Sequence, residues 1–570
     1  MNASQPVSDK KELKALLDMV LDFNWYDSTK EKLSSADLLT GLLDHGIFAE
    51  KIPPCFTTSG LAAIVTESMA DLLEEKDDKK LAAIIDKRGH DYVRYEALRD
   101  INIPRHLGIP HPEAYAVQAL ALSKHWREVA AHCNKPQPAI SRIHVRHVGN
   151  GRIFEMNYKG VERFQFEENE IQWMAGAKFV VEADIAACFP SIYTHSIPWA
   201  LHDKYETKKS SSLTKFSGNL LDKCTQNTRD RQTNGLLIGP HASNIVSEIV
   251  LTRIDSALQT KGYKKVVRHV DDYRFFADTL DEAELFIKDL GLNLRAYEMS
   301  LNEKKTRILD LPRPSDENWR LVLNRFIFPK DEEIRFSAIR SFLDLALECA
   351  QAAGKSTPLN YAIKTLASDD EAPRKLNSRA KRMYAQEAMN LALAYPYLAP
   401  LLDHFVFDKY WHDELRPRIA DFATSLVRIG IRKLYPDTIA HAIYFALKYE
   451  LTLDLKDIAL IEIIALDDCV TNVLLLEYAK VRNRPKVKSA INKRAKDLLK
   501  TDDAREKDKH WLLLYQVWSK KELEGNGQGF LAMLKSKNFQ FFLMPAQSGN
   551  GVVEDALQAQ PQQLEAAKAL

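Results

Sequence analysis

Apolar and polar positions change period several times along this chain. Around residue 180, Phe179-Val180-Val181 reads as a buried strand ending at Asp184. Val266 and Val267 precede an acid pair, and Phe275 and Phe276 follow it. That pattern predicts two short strands joined by a tight turn, with Asp271 and Asp272 at its tip. A helix is predicted over Ala242–Leu258, opened by the loop Asn234–Ser243. A second starts at the capping-box pattern Thr279–Glu282 and runs to about Tyr297, with Ala283, Phe286, Ile287 and Leu290 on one side. Ser300–Arg307 then leads into a further strand. The centre thus reads strand, helix, strand–turn–strand, helix, strand, an α+β sheet with helices on one face.

The flanks read differently. Stripes such as Leu13, Leu17, Val20 and Leu21, then Leu61, Ile64, Val65, Met69 and Leu72, predict helices up to about Asp86. The prolines and the glycine of residues 100–112 predict an extended turn, followed by a helix over Glu113–Val129. Arg142-Ile143-His144-Val145-Arg146 alternates basic and apolar residues, placing Arg142 and Arg146 on one strand face. Gly149-Asn150-Gly151 turns that strand into Arg152–Tyr158. Residues 333–540 are almost entirely helical stripes without a fixed period, and 546–570 read as a mobile tail rich in Gln, Ala and Gly.

Composition narrows the class. With 570 residues, about two to four domains are expected. Lys+Arg 79 against Asp+Glu 78 gives a net charge of +1, so a nucleic-acid surface would have to be a local patch. One such patch stands out: Lys480, Arg482, Arg484, Lys486, Lys488, Lys493, Arg494, Lys496 and Lys500 crowd a segment opposed by Asp497. It is either a solvated helix face or a nucleic-acid contact. Six scattered cysteines without a C-x-x-C pair fit reduced thiols and offer no zinc site. No signal core and no run of 18 apolar residues is present, so the expectation is a cytoplasmic protein without membrane contact.

The chemistry follows from the acids. Adjacent buried carboxylates without a cation are costly, so Asp271-Asp272 is either a solvated turn or a metal site. The strand-end carboxylate Asp184 favours the metal site. If the strands are neighbours, Asp184 and Asp271, assisted by Asp272, can hold two Mg²⁺ ions for an in-line phosphoryl displacement. Arg142 and Arg146 would clamp a triphosphate, and Lys305 could protonate departing pyrophosphate. These are the parts of a nucleotidyl transferase.

Asp184–Phe189 resembles polymerase motif A, Asn234–Ser243 motif B, His269–Asp272 the Y-x-D-D of motif C, and Leu301–Thr306 motif D. Together they resemble reverse transcriptases. Arg105–Tyr115 (R-H-L-G-I-P-H-P-E-A-Y) and the long helical C-terminal part resemble the bacterial anti-phage reverse transcriptases of the abortive-infection and defence-associated type. The resemblance implies a right-hand polymerase: a helical N-terminal region over 1–99, fingers and palm with an antiparallel sheet over 100–330, an all-α, repeat-like C-terminal domain over 331–545, and a tail over 546–570.

Residue by residue, the resemblance makes Asp184, the Ile185 carbonyl and Asp271 metal ligands and Asp272 the supporting carboxylate. Phe189 takes the steric-gate place, which implies deoxynucleotide use. Gly239 lets the backbone approach the incoming base pair, and Lys305 takes the motif D place. His269 replaces the family Tyr and Ile238 the family Gln, which puts ordinary template reading in question. The implied cofactor is Mg²⁺, with Mn²⁺ as a substitute. The implied partners are dNTPs, a DNA product, a non-coding RNA or companion reverse transcriptase, and further copies of the chain. Protein priming and a non-nucleic-acid template belong to the same expectation. Two other readings stand beside it: a catalytically silent nucleic-acid-binding scaffold, and a retroelement-type templated enzyme.

Overall fold

The computed structural model describes residues 33–75, 78–99, 103–133, 144–149, 152–155, 171–314, 317–328, 332–369 and 372–545. Two units divide the chain. One comprises Met1–Leu39, Ala121–Asp222 and Asn244–Leu311; the other comprises Thr40–Leu120, Lys223–Ser243 and Pro312–Leu570.

The first sheet element is a hairpin, β1 (Tyr92–Arg99) with β2 (Ile103–Pro110). Here the sequence expectation of an extended turn is corrected: the proline-rich stretch is a full strand. Its prolines are tolerated because they fall near the strand's ends, Pro104 opposite Leu98 and Pro110 opposite Tyr92. Gly108 suits this close approach: its N–H donates to the Ile238 carbonyl, and a Cβ would lie 2.6 Å from the end of the Leu237 side chain, which would have to move. Helix α1 (Pro112–Lys124) follows directly, shorter than expected. A second hairpin pairs β3 (His144–Gly149) with β4 (Arg152–Glu155), as the Gly-Asn-Gly turn predicts.

The first unit is built on a four-stranded antiparallel sheet ordered β6-β7-β5-β8. Its strands are β5 (Phe179–Asp184), β6 (Val266–His269), β7 (Asp272–Ala277) and β8 (Arg307–Asp310). Val180, Val267 and Phe276 form one apolar cluster, joined by Trp173, Met174, Leu309 and Leu311. Phe275 stacks on Phe286 at 4.5 Å between ring centres, with Tyr263 edge-on to both. Burying a ring of this size stabilises by about 1.5–3 kcal/mol.

Helix α2 (His241–Thr260) precedes β6, and α3 (Leu280–Ala296), which carries Phe286, follows β7. The Thr279 hydroxyl caps α3 by accepting the Glu282 N–H. The reciprocal arm differs from the expected box, because the Glu282 carboxylate accepts from the Asp278 N–H, one residue earlier.

The second unit is predominantly helical. It includes α4 (Leu415–Lys433), α5 (Pro436–Lys448), α6 (Cys469–Val481) and α7 (Pro485–Asp497). Within it the β1 hairpin docks on the start of α5: the Tyr95 hydroxyl donates to Asp437 at 2.6 Å and the Leu98 N–H to the same carboxylate at 3.0 Å. A second polar centre is Asp508, which accepts from both Arg88 contacts (2.6 and 2.7 Å) and from Gln528. Beside it the rings of His90 and His111 stack at 4.2 Å. Burial pushes His111 down to about 3, so that ring is neutral. Among the described residues no helix is long and apolar enough to cross a membrane.

Candidate active site

The acid-bearing turn is a two-residue hairpin loop, Val270-Asp271, closed by the pair His269 and Asp272. Such loops need positive φ, which Asn and Gly supply without strain. Here Val270 adopts φ 58°. A β-branched residue in this region costs about 1–3 kcal/mol and must be held by its surroundings. The holder is Arg268, 1% exposed, whose Nη1 donates to the Val270 carbonyl at 3.0 Å. The guanidinium is itself fixed by two carboxylates. Nε donates to Asp255 at 2.8 Å and Nη2 to Glu248 at 2.7 Å. Glu248 and Asp255 lie seven residues apart on α2, two turns along one face. The Tyr273 hydroxyl satisfies the other Asp255 oxygen at 2.9 Å.

Asp184 ends β5 directly opposite Asp272 of β7. The Ile185 N–H donates to the Asp271 carbonyl at 3.2 Å, tying the two acid-bearing loops together. After Asp184 the chain turns sharply at Ala187, a second non-glycine residue with positive φ (46°). Residues 300–305 then fold back on Asp184. Its carbonyl accepts the Asn302 N–H at 2.8 Å, and its carboxylate accepts Asn302 Nδ2 at 2.8 Å and Lys305 Nζ at 3.0 Å. Desolvation, the Asp271 charge and a hydrogen bond with Asp184 together push Asp272 up to about 6. The neighbouring Cys188 thiol is pushed up to about 12, first by burial and then by Asp271.

The first unit thus brings together Asp184, Ile185, Asp271, Asp272 and Lys305 from three separate segments. Phe189 is half-buried in the short helix Cys188–Ser191, directly after the Ala187 turn. His269 ends β6. Ile238 and Gly239 belong to the second unit. Gly239 has φ 124°, a glycine-only region, and a Cβ there would lie 3.0 Å from that of Ala49. Arg142 lies outside the described residues, and of Arg146 only the β3 backbone is described.

Sequence reasoning missed Asn302, Arg268, Glu248 and Asp255. A partial signal exists in two acids seven apart on one helix face and an Arg following Val266 and Val267, but it links them only once the sheet order is known.

Residues 105–339 match the family described as reverse transcriptase (RNA-dependent DNA polymerase). None of the curated proteins compared matches the sequence. Among solved structures, the chain is similar to apo telomerase from Candida tropicalis, at 9% identity over 77% of this chain and 76% of that one, with a TM-score of 0.28. Telomerase from the same organism in complex with the TWJ fragment of telomeric RNA gives 10% identity, 75% and 69% coverage, and a TM-score of 0.26. Against the form truncated from the C-terminal domain the identity is 12% over 44% of this chain, the TM-score is 0.26, and this chain spans 56% of that structure's length. The family match covers the acid-bearing strands, their connecting helices and the segment that returns to Asp184. Residues 105–339 are therefore the part of the chain that matches the reverse transcriptase family.

Proposed function

We propose that this chain is a DNA polymerase of the anti-phage, abortive-infection reverse transcriptase type, adding deoxynucleotides at Asp184, Asp271 and Asp272. The observation that carries the reading is the register of Asp184 opposite Asp272, with the Asp271 backbone bonded to Ile185 and Lys305 on Asp184. The donor set is all oxygen, which suits a hard divalent cation. Burial first, and then the neighbouring Asp271 and Asp184, raise the pKa of Asp272, and a cation among these carboxylates would be stabilised. Asp184, the Ile185 carbonyl and Asp271 would hold Mg²⁺, with Asp272 in support. Two such ions lower the pKa of an attacking hydroxyl and stabilise the leaving oxygen.

The remaining roles belong to the chain itself. Lys305 holds its proton within 3.0 Å of Asp184 and releases it to departing pyrophosphate. Phe189 crowds the place of a ribose 2′-hydroxyl, which selects dNTPs. Arg142 and Arg146 clamp the triphosphate. His269 and Ile238 stand where the family places template-reading residues, which favours synthesis on a bound RNA or on protein side chains, with a protein hydroxyl as primer. The defence assignment rests on Arg105–Tyr115 and the helical C-terminal part. The test is incorporation by the purified chain of each dNTP and NTP, without nucleic acid and then with an RNA template and DNA primer. Phe189→Val is expected to admit NTPs at least about tenfold better, and products that are lost from the aqueous phase on phenol extraction until protease treatment would support protein priming. Equal use of NTPs and dNTPs by the parent chain would contradict the steric-gate assignment.

A further inference from the structure

The basic run of the second unit is sorted by the structure into two classes. Its arginines are consumed internally: Arg484 pairs with Asp457 at 3.1 Å and Arg494 with Asp467 at 2.9 Å, while Arg482 donates to the Leu451 carbonyl. Lys480 and Lys500 pair with Glu477 and Asp497 at 2.7 and 2.6 Å, and the remaining lysines are placed otherwise. Helix α7 buries Val487, Ile491 and Ala495. At 100° per residue, Lys486, Lys493 and Lys496 lie within one arc directly opposite that stripe, and all three are exposed. Lys500 lies one turn beyond, 77% exposed and paired with Asp497 at 2.6 Å. From Lys486 to Lys500 the distance along the chain axis is about 20 Å.

We infer that this lysine face of α7 binds the phosphate backbone of a single-stranded nucleic acid. The like charges of Lys486, Lys493 and Lys496 on one face repel each other, and an anion with regularly spaced charges relieves that repulsion. Lysine suits such a partner: it meets phosphates as a mobile point charge, while arginine, with its fixed fork, is used here for internal carboxylates. A membrane is disfavoured, because the apolar side of α7 is buried and cannot insert. An acidic protein is disfavoured because the face is lysine and Ser489, residue types depleted at protein interfaces.

The inference does not rest on polymerisation, and its test separates the two by using full-length protein carrying Asp271→Ala. Binding of a fluorescent single-stranded RNA, a DNA of equal length and phosphatidylserine vesicles is measured across a salt series, before and after K486E/K493E/K496E. The charge reversal is expected to weaken oligonucleotide binding at least about tenfold at about 0.1 M salt and to reduce the slope of log K against log salt by about 2. The corresponding triple arginine variant should keep both. Loss on RNA and DNA alike, or on either one, supports the inference. Unchanged affinity and slope for both oligonucleotides, with the melting temperature preserved, would overturn it, as would a loss confined to vesicles.

Discussion

At the scale of single residues, the site is a contest for the oxygens of Asp184 and Asp272. Lys305 and Asn302 occupy the Asp184 carboxylate, while desolvation and then the neighbouring acids push Asp272 up to about 6. The sign of the pH effect follows. Between about pH 4 and 6 the folded, metal-free chain binds more protons at Asp272 than the unfolded chain, so this group's contribution to stability falls as pH rises. Asp272→Asn removes that loss. It is expected to raise the metal-free melting temperature near pH 7 by about 1 °C, the exposed position limiting the effect, while lowering Mg²⁺ affinity measured by titration calorimetry. For the parent chain, Mg²⁺ affinity should fall as pH drops below about 6, where Asp272 takes up its proton. Lys305→Ala should lower kcat by about 10²–10⁴-fold, the usual range for a lost general acid, and leave Mg²⁺ binding intact or tightened.

At the scale of elements, α2 and the β6–β7 hairpin act as one device. Glu248 and Asp255 hold Arg268, and Arg268 holds the Val270 carbonyl of the strained turn that presents Asp271. Arg268→Met leaves two buried carboxylates without their cation and is expected to destabilise by about 3–5 kcal/mol in urea melts. Adding Glu248→Gln and Asp255→Asn should recover most of that stability but little of the polymerase activity, because the turn remains unclamped. Recovery of both would show that the network serves stability alone. The strands themselves were legible from sequence, since the apolar pairs Val180-Val181, Val266-Val267 and Phe275-Phe276 mark short buried strands. The clamp was not, because an Arg in a short strand and two acids on a helix gain meaning only when the sheet order brings them together. The β1–β2 hairpin was misread as a turn because Pro104 and Pro110 argue against a strand until its ends are known.

At the scale of the molecule, the chain combines a palm-like sheet in one unit with a second unit knitted by buried polar centres distant in sequence. Tyr95 and Asp437, or Arg88 and Asp508, cannot be paired from spacing alone. Tyr95→Phe should cost about 1–3 kcal/mol, since Asp437 keeps only the Leu98 N–H of its hairpin contacts. The helical character of residues 333–540 was readable from apolar stripes. The sorting of the basic run into paired arginines and an open lysine face needed the packing. The central claim is that Asp184, Asp271 and Asp272 transfer nucleotides, and it is tested most directly by dNTP incorporation with Mg²⁺ in purified protein freed of nucleic acid, beside Asp271→Ala. Preparations with and without restored RNA or partner are run in parallel. The account predicts DNA from the parent chain under at least one of these conditions and none from the variant under any. Equal synthesis by both, or silence of a folded parent chain under every condition, would contradict it.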